Sequence, residues 1–340
     1  MEQFEIRLEE PGQFVVTRGT LPEPSPGEAR IRIRRIGVCG TDIHAFHGRQ
    51  PFFEYPRILG HELAAEVISV NGESEVKTGE TIAVEPYLND PASQASQRGK
   101  SNCCESLQVL GVHCDGGMRP EINVPISKLH RAATATVDQL ALVEMLGIGC
   151  HAVNRSQPSA KDTALVLGAG PIGLSVLSFL QDQVAKVVMA DLDRGRLAFC
   201  SDAFGVESTA LVEESTSLED QLRNSLGGEL PSLIFDATGN RQSMLSTFHL
   251  VAHGGRIVLV GLFQGELSFD DPNFHRRELT LLASRNAVSR EFGQVIESIE
   301  SGRVNTDPWI THRLSLAEVP DTFKQVISDP SLRKAVIKVD

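Results

Sequence analysis

Two short segments near the N-terminus carry residues that could bind a metal ion. Cys39 opens the segment Cys39-Gly-Thr-Asp-Ile-His44, and Gly60-His61-Glu62 follows later in the chain. Thiolate, imidazole and carboxylate are ligands that zinc accepts, and a catalytic zinc keeps one of its four positions open for water or substrate. The residue types of Cys39, His61 and Glu62 are therefore compatible with a zinc site. The alternative is a buried cysteine and a half-exposed histidine.

A glycine-rich segment in the middle of the chain has the spacing of a dinucleotide-binding turn. An apolar run at 165–167 leads directly into Gly168-Ala-Gly170-Pro171-Ile172-Gly173, and an apolar helical pattern follows. The first glycine allows the tight turn, the second lets a pyrophosphate approach, and the third lets the helix pack on the strand. The helix N-terminus then offers free N–H groups to the phosphates. This context favours dinucleotide binding over a merely structural turn.

An acidic residue indicates which dinucleotide is bound. Asp191 ends the next apolar run, where a carboxylate can accept hydrogen bonds from the ribose hydroxyls. Its charge would repel the 2′-phosphate of NADP, so the sequence favours NAD. Arg194 and Arg196 lie just downstream and could meet a phosphate. We prefer to interpret both as solvated helix residues, although Arg196 stays among the candidate cofactor-binding residues.

The pattern of apolar residues predicts an α/β protein in two parts. Residues up to about 150 are β-rich, with short alternating runs at 30–34 and 64–68 that are bounded by Pro and Gly turns. Strands that carry arginine on one face are expected to be half exposed. From about residue 160, apolar runs alternate with helix-length segments, as in a doubly wound parallel sheet. These runs lie at 164–167, 187–190, 233–235 and 257–260.

Beyond about residue 285 the chain returns to short mixed segments, with a helical pattern at 292–299. We expect this tail to fold back on the first domain. The predicted division is therefore a catalytic domain formed by residues 1–149 and 285–340, and a Rossmann cofactor domain formed by residues 150–284.

Composition and charge exclude several classes of function. A chain of 340 residues holds about two domains at ~150 residues each. Its net charge of −12 argues against non-specific binding to nucleic acid or to anionic membranes, so an anionic substrate would need a local basic pocket. The N-terminal residues lack the pattern of a signal peptide, which predicts a cytoplasmic protein. The six cysteines are then expected to be thiols or metal ligands.

The signatures at 39–44, 60–62 and 168–173 occur in the same order as in the zinc-dependent medium-chain alcohol and polyol dehydrogenases. The chain resembles this family over essentially all 340 residues. The resemblance implies a GroES-like catalytic domain, a Rossmann domain, NAD and one catalytic zinc ion per chain. Cys39 and His61 match the family's zinc ligands. Either Glu62 or Glu144 would complete the site, with the other close by. Met145 follows Glu144 where the family usually has proline, so the choice between the two glutamates stays open.

The same resemblance assigns roles to three residues around Cys39. Asp42 matches the carboxylate that orients the zinc-binding histidine, a role that fixes the ring and its tautomer. Thr41 and His44 match a relay in which a hydroxyl takes the alcohol proton and an imidazole near solvent receives it through the ribose hydroxyls. The alternatives are an ordinary turn aspartate and an ordinary surface histidine.

A second, structural zinc ion is predicted to be absent. Many members of the family bind it with four cysteines, and the corresponding positions here are Asp90, Ser93, Ser96 and Cys104. Serine hydroxyls are poor substitutes for thiolates. The Ser, Gln and Ala content of the loop at 86–100 also suggests that this loop is mobile.

Several segments resemble the bacterial sugar-acid dehydrogenases of the L-galactonate type within this family. They lie at 45–53, 102–113, 261–266, 271–275 and 283–287. Arg285 resembles the arginine that reaches polar groups of the substrate, and its guanidinium could bind a carboxylate through two hydrogen bonds. The alternative is a structural arginine. Phe52, Phe53 and His113 are candidates for lining the substrate pocket or for the core.

These features predict oxidation of a secondary alcohol of a sugar acid to a ketone, with hydride transfer to NAD. The zinc ion would act as a Lewis acid on the hydroxyl oxygen. A polyol or threonine dehydrogenase is the nearest alternative, and a non-catalytic NAD-binding protein is the more distant one. The family resemblance also implies a homo-oligomer, a dimer or tetramer, with the strand at 255–262 as the candidate pairing edge.

Overall fold

The computed structural model describes residues 2–51 and 53–339, so the predicted pocket residue Phe52 lies outside the described residues. The chain divides into two compact units. The first combines the residues up to Met145 with those from Ala287 onward, and the second runs from Leu146 to Asn286. The sequence analysis placed these boundaries at 149/150 and 284/285. The helix Val143–Ser156 runs through the first boundary, so no change in composition marks it.

The elements are numbered along the chain. The strands are β1 (Glu2–Glu10), β2 (Gln13–Thr20), β3 (Glu28–Gly37), β4 (Glu62–Asn71), β5 (Thr81–Val84), β6 (Tyr87–Leu88), β7 (Gln108–Val109), β8 (Glu121–Pro125), β9 (Leu129–Arg131), β10 (Thr163–Leu167), β11 (Lys186–Asp191), β12 (Ser208–Leu211), β13 (Leu233–Asp236), β14 (Arg256–Leu259), β15 (Thr280–Ala283), β16 (Ile310–Ser315) and β17 (Lys334–Lys338). The α-helices are α1 (Gly40–Phe46), α2 (Gln94–Gln97), α3 (Val137–Leu140), α4 (Val143–Ser156), α5 (Pro171–Leu180), α6 (Arg194–Phe204), α7 (Leu218–Ser225), α8 (Arg241–Leu250), α9 (Asp271–Arg276), α10 (Ser289–Glu300) and α11 (Val319–Ile327). None of the helices in the described part of the chain is long and apolar enough to cross a membrane.

The first unit is organised around a seven-stranded sheet. Its strands follow the order β16-β17-β3-β4-β5-β9, and β8 also pairs with β3. On β3 the side chains alternate as the sequence predicts: Ile31 and Ile33 are fully buried, whereas Arg32 is part-exposed and pairs with Glu121 at 2.9 Å. The half-exposed strands expected in this region are therefore confirmed.

The C-terminal residues complete the same sheet. β17 pairs antiparallel with β3, with Val336 opposite Gly37, and β16 pairs parallel with β17. The helical pattern at 292–299 lies within α10. This return of the chain places Lys334, at the start of β17, in the same unit as the residues around Cys39.

The second unit is a parallel sheet with helices between its strands. Its order, β12-β11-β10-β13-β14-β15, is the 3-2-1-4-5-6 order of the dinucleotide-binding fold. The four predicted apolar runs lie in or overlap β10, β11, β13 and β14. The predicted α/β class with a doubly wound Rossmann sheet is confirmed.

The predicted edge of this sheet is wrong. β14, which covers residues 256–259 of the predicted strand at 255–262, pairs with β13 on one side and β15 on the other, so it is internal. Among the described residues, the edge strands of the sheet are β12 and β15. β15 is four residues long and mostly exposed, and it therefore has no continuous apolar run to reveal it in the sequence.

Candidate active site

Cys39, His61 and Glu62 come together in the first unit. Cys39 follows β3 and precedes α1, His61 precedes β4, and Gly37 pairs with Glu62 across the two strands. One donor atom from each of the three side chains lies within 4.8 Å of the other two. A Cβ atom at Gly37 would collide with Glu62 Oε2, so only glycine leaves room for this carboxylate. The register of β3 and β4 thus assembles groups that are distant in the sequence.

These three groups fit a zinc ion. His61 and Glu62 are buried, and Glu62 Oε1 has no hydrogen-bond partner. Leaving buried polar atoms unpartnered is costly, and a bound cation would remove that cost. A thiolate, an imidazole and a carboxylate are zinc ligands, and three protein ligands leave the fourth position open, as in catalytic sites.

Asp42 lies beside His61 at the start of α1. Its Oδ2 accepts a hydrogen bond from the Cys39 N–H at 2.9 Å, and its Oδ1 lies 3.7 Å from His61 Nδ1. Burial lowers the pKa of His61, but the Asp42 carboxylate and the Cys39 thiol outweigh it and raise that pKa well above its usual range. The anionic groups around His61 therefore favour a positive charge at this place, which a bound cation would supply. The Nδ1 edge of the ring faces Asp42, which leaves Nε2 available to a cation.

Lys334 is a site residue that the sequence analysis missed. It is 2% exposed, and its ammonium forms an ion pair with Glu62 Oε2. Burial lowers the pKa of Lys334, but the carboxylate of Glu62 and the thiol of Cys39 raise it more, so the lysine is charged. The one signal in the sequence is a lysine at the start of the apolar run Lys334-Ala-Val-Ile. Only the pairing of β17 with β3 shows where it points.

Glu144 lies close to these groups but has a different partner. It is buried in the first turn of α4, and its Oε1 accepts a hydrogen bond from the hydroxyl of Tyr87. Burial raises the pKa of the Glu144 carboxyl, and burial together with Glu144 raises the pKa of Tyr87 well above its usual range, so Tyr87 donates. The cluster of donor atoms contains Glu62 and not Glu144. The sequence analysis did not identify Tyr87.

Thr41 and His44 both lie on α1, the helix that begins beside Cys39. Thr41 is half-buried and His44 is exposed. Burial lowers the pKa of His44, and the nearby charges of Arg49 and His47 lower it further. A neutral, solvent-exposed imidazole can accept a proton near neutral pH.

The glycine-rich turn joins β10 to α5 in the second unit. Gly168 has a φ of +96°, a conformation that favours glycine, and a Cβ atom at Gly173 would collide with Gly168 O. Gly170 is the N-cap of α5, and no atom lies within 4 Å of where its Cβ would be. Pro171 and Ile172 form the first turn of the helix. The turn therefore leaves open space at Gly170 and a helix N-terminus beside it, the two features that bind a pyrophosphate.

Asp191 ends β11 next to this turn. Its Oδ2 accepts a hydrogen bond from the Ala169 N–H at 2.6 Å, and its Oδ1 accepts one from the Asp193 N–H at 2.9 Å. Arg196 NH1 lies 3.9 Å from Asp191 Oδ2, and the Arg196 side chain is about half exposed. Arg194 is mostly exposed and pairs with Glu213. The Asp191 carboxylate is thus oriented by a backbone N–H group of the glycine-rich turn.

The predicted substrate-binding residues lie in both units. Arg285 is exposed, follows β15 and belongs to the second unit. In the first unit, Phe53 is half-buried with its ring 4.8 Å from that of Tyr55, and it packs against the core. His113 Nδ1 accepts a hydrogen bond from the Val109 N–H at 3.0 Å, which is a structural contact.

The four positions that correspond to a structural zinc site are linked by hydrogen bonds. Cys104 Sγ accepts from the Asp90 N–H at 3.3 Å, and the Ser93 and Ser96 hydroxyl oxygens lie 2.9 Å apart. Hydrogen bonds from Ser93 and Ser106 lower the pKa of Cys104 to about 7. Ser93 also caps α2. This network orders the loop that composition suggests to be mobile.

Comparison with known proteins identifies the family. The family described as alcohol dehydrogenase GroES-like domain matches residues 25–134, and that described as zinc-binding dehydrogenase matches residues 171–301. The chain is 39% identical over 331 residues to L-galactonate-5-dehydrogenase of Escherichia coli strain K12, covering 97% of each chain. The chain belongs to the zinc-type medium-chain alcohol dehydrogenases. The family, fold and enzyme class predicted from the sequence are confirmed.

Two further similar proteins are informative. D-altritol 5-dehydrogenase of Agrobacterium fabrum is 31% identical over 340 residues, covering 97% of each chain. A solved structure, described as a short chain alcohol dehydrogenase from Escherichia coli CFT073 complexed with NADH, has a TM-score of 0.91 and 29% identity and covers 99% of each chain. Together with the family and the donor cluster, these findings support a zinc-dependent dehydrogenase with a nicotinamide cofactor.

Proposed function

We propose that this dehydrogenase oxidises a secondary alcohol of a sugar acid, of the L-galactonate type, to a ketone and transfers the hydride to NAD. The observation that carries the chemistry is the cluster of Cys39, His61 and Glu62, in which the buried Glu62 Oε1 has no hydrogen-bond partner. The substrate class is supported by the 39% identity to L-galactonate-5-dehydrogenase over nearly the whole chain.

Under this proposal, the site residues of the first unit have defined roles. Cys39, His61 and Glu62 hold the zinc ion, which supplies a Lewis acid that lowers the pKa of the substrate hydroxyl. Asp42 fixes the ring of His61 by facing its Nδ1 edge. Lys334 offsets part of the negative charge of Cys39 and Glu62.

The proton leaves through α1. The Thr41 hydroxyl accepts the proton of the substrate hydroxyl, and His44 receives it near solvent. The lowered pKa of His44 keeps its imidazole neutral and ready to accept.

The choice of NAD over NADP rests on Asp191. Its carboxylate already accepts two backbone N–H groups and keeps capacity for ribose hydroxyls, whereas a 2′-phosphate would meet a like charge. Gly168, Gly170 and Gly173 shape the turn for the pyrophosphate, and the nearby cation, Arg196, faces Asp191. We also propose one zinc ion per chain, since the Ser93, Ser96 and Cys104 positions are occupied by a hydrogen-bonded network.

Arg285 is proposed to bind the substrate carboxylate through two hydrogen bonds. A neutral polyol is the second candidate substrate, and the 31% identity to D-altritol 5-dehydrogenase favours it. The family resemblance supports a homo-oligomer. The sheet of the second unit has β12 and β15 as its edge strands, and we propose the mostly exposed β15, in place of the strand at 255–262, as the pairing edge.

The test is the rate of NAD reduction on L-galactonate, with D-altritol, sorbitol, threonine and simple alcohols in parallel. We expect turnover on L-galactonate, and we expect Arg285→Ala to lower kcat/KM there by roughly 10- to 100-fold, the range of a lost charge-assisted hydrogen bond. The effect on a neutral polyol should be small.

Arg303→Ala is the matched control, because Arg303 is an exposed arginine that pairs with the surface residues Glu297 and Ser301. Equal losses for Arg285→Ala on L-galactonate and on polyols would contradict a carboxylate-binding role. Turnover confined to polyols would replace the sugar-acid assignment with the polyol one.

A further inference from the structure

Tyr87 is a buried residue beside the proposed zinc site whose task is not explained by the roles above. Its side chain is 2% exposed, and its hydroxyl donates a hydrogen bond to Glu144 Oε1. Glu144 is itself 6% exposed and lies near His61 and Glu62, which influence its charge state. A tyrosine at this position therefore fixes the direction of a second buried carboxylate close to the first.

The backbone of Tyr87 is held in place. Tyr87 begins β6 and pairs with Val109 of β7. Two residues earlier, the buried Glu85 binds Lys128 Nζ at 2.6 Å and lies 3.2 Å from His130 Nε2. These contacts anchor the chain immediately before the tyrosine.

The ring of Tyr87 is also held. It contacts Phe292 edge to face, with ring centroids 6.0 Å apart and planes at 78°. Phe292 is fully buried and stacks on His130 at 4.8 Å. Because the ring is packed on α10, the hydroxyl cannot follow Glu144 if that carboxylate turns away.

The number of protein ligands decides what a zinc site can do. Four protein ligands close the coordination shell, as in structural sites, whereas three leave a position for water or substrate. This site has four candidates, since Cys39, His61 and Glu62 form the donor cluster and Glu144 lies next to it. A free Glu144 carboxylate would be attracted to a cation held by the other three.

We propose that Tyr87 is a positioning residue that holds Glu144 away from the zinc ion and thereby keeps the fourth coordination position open for substrate. The proposal rests on the proposed function, because it assumes zinc at Cys39, His61 and Glu62. It explains why the structure pairs Glu144 with a rigid donor while Glu62 belongs to the donor cluster.

The test is the Tyr87→Phe variant, which keeps the ring and removes only the hydroxyl. We expect the zinc-loaded variant to release its metal to a chelator roughly tenfold more slowly than the wild-type enzyme, since residues around a metal shell change affinity by roughly 10- to 100-fold. In the cobalt(II)-loaded Tyr87→Phe variant, Glu144 should bind the metal as an additional ligand or replace another ligand. Either change should weaken or shift the visible absorption bands. Turnover on the substrate should fall while zinc is retained.

A double-mutant cycle with Glu144→Gln separates this effect from a packing defect. In the Glu144→Gln background, Tyr87→Phe should leave metal release and the cobalt spectrum unchanged, because a neutral amide is a poor zinc ligand. Tyr55→Phe is the matched control, since it removes the hydroxyl of a tyrosine that donates to the Ala45 carbonyl at 2.5 Å. It should release zinc at the wild-type rate.

Two results would overturn the proposal. One is an unchanged release rate and cobalt spectrum in Tyr87→Phe, and the other is the same change with and without Glu144. If Tyr87→Phe does not fold, Glu144→Gln alone decides: an altered cobalt spectrum would show that Glu144 already binds the metal. A wild-type protein that binds no zinc would instead contradict the proposed function.

Discussion

At the scale of single residues, charge balance is the main feature of the proposed zinc site. Cys39 and Glu62 are anionic when they bind a metal, and Lys334 is the buried cation that pairs with Glu62. Removing one partner of a buried ion pair leaves the other charge uncompensated, which costs more than the pair itself contributes. Lys334 therefore compensates the charge of Glu62 and stabilises the site in the metal-free protein.

We predict that Lys334→Met lowers the free energy of unfolding of the metal-free protein by about 3–5 kcal/mol, the cost of breaking a buried ion pair. Urea denaturation with the metal removed would measure it. Lys338→Met, on the same strand but exposed, should change stability by less than about 0.5 kcal/mol. Similar effects of the two substitutions would argue against the buried pair.

At the scale of elements, the turn between β10 and α5 contains one glycine that is needed for folding and another that is needed for binding. A Cβ atom at Gly173 would collide with the backbone oxygen of Gly168, so this glycine serves the packing of α5 on β10. Gly170 faces open space, so its lack of a side chain matters only when a ligand approaches. The two glycines of one motif thus have different physical purposes.

We predict opposite outcomes for alanine at these two positions. Gly173→Ala should destabilise the protein by roughly 1–3 kcal/mol, because the helix must shift to admit the methyl group. Gly170→Ala should leave the unfolding free energy nearly unchanged and weaken NADH binding by at least about tenfold, which is about 1.4 kcal/mol. Thermal unfolding and NADH fluorescence titration would separate the two. Equal NADH affinity in Gly170→Ala and the wild-type enzyme would contradict the role of this glycine.

Elements with a continuous apolar pattern could be predicted, and those without one could not. β10, β11, β13 and β14 carry buried runs, and all four were identified from the sequence. β12 and β15 are four residues long, include exposed positions and were missed. The edge of the sheet was therefore assigned to the wrong strand, because strand order is set by pairing between distant segments.

At the scale of the whole molecule, the two halves of the proposed chemistry belong to different units. The donor cluster at Cys39 lies in the first unit, and the glycine-rich turn and Asp191 lie in the second. Each unit has its own hydrophobic core. Loss of the metal ligands should therefore leave the nucleotide site intact.

We predict that Cys39→Ala lowers turnover by at least about a hundredfold, because a Lewis acid contributes several kcal/mol to the reaction. The dissociation constant of NADH, measured by fluorescence titration, should change by less than about threefold. Cys103→Ala replaces an exposed cysteine of the same unit and should keep full activity. A parallel loss of turnover and NADH binding in Cys39→Ala would indicate that Cys39 serves folding instead.

The sequence alone determined the features that depend on local order. The dinucleotide turn, the alternating strands and the metal-ligand types of Cys39 and His61 are readable because neighbouring residues carry each pattern. Only the tertiary structure decided which glutamate joins the donor cluster, which cation faces it and which tyrosine holds Glu144. Lys334 meets Glu62 and Tyr87 meets Glu144 across long stretches of chain, and no local spacing records such contacts. Charge balance inside a buried site is a property of the packed molecule.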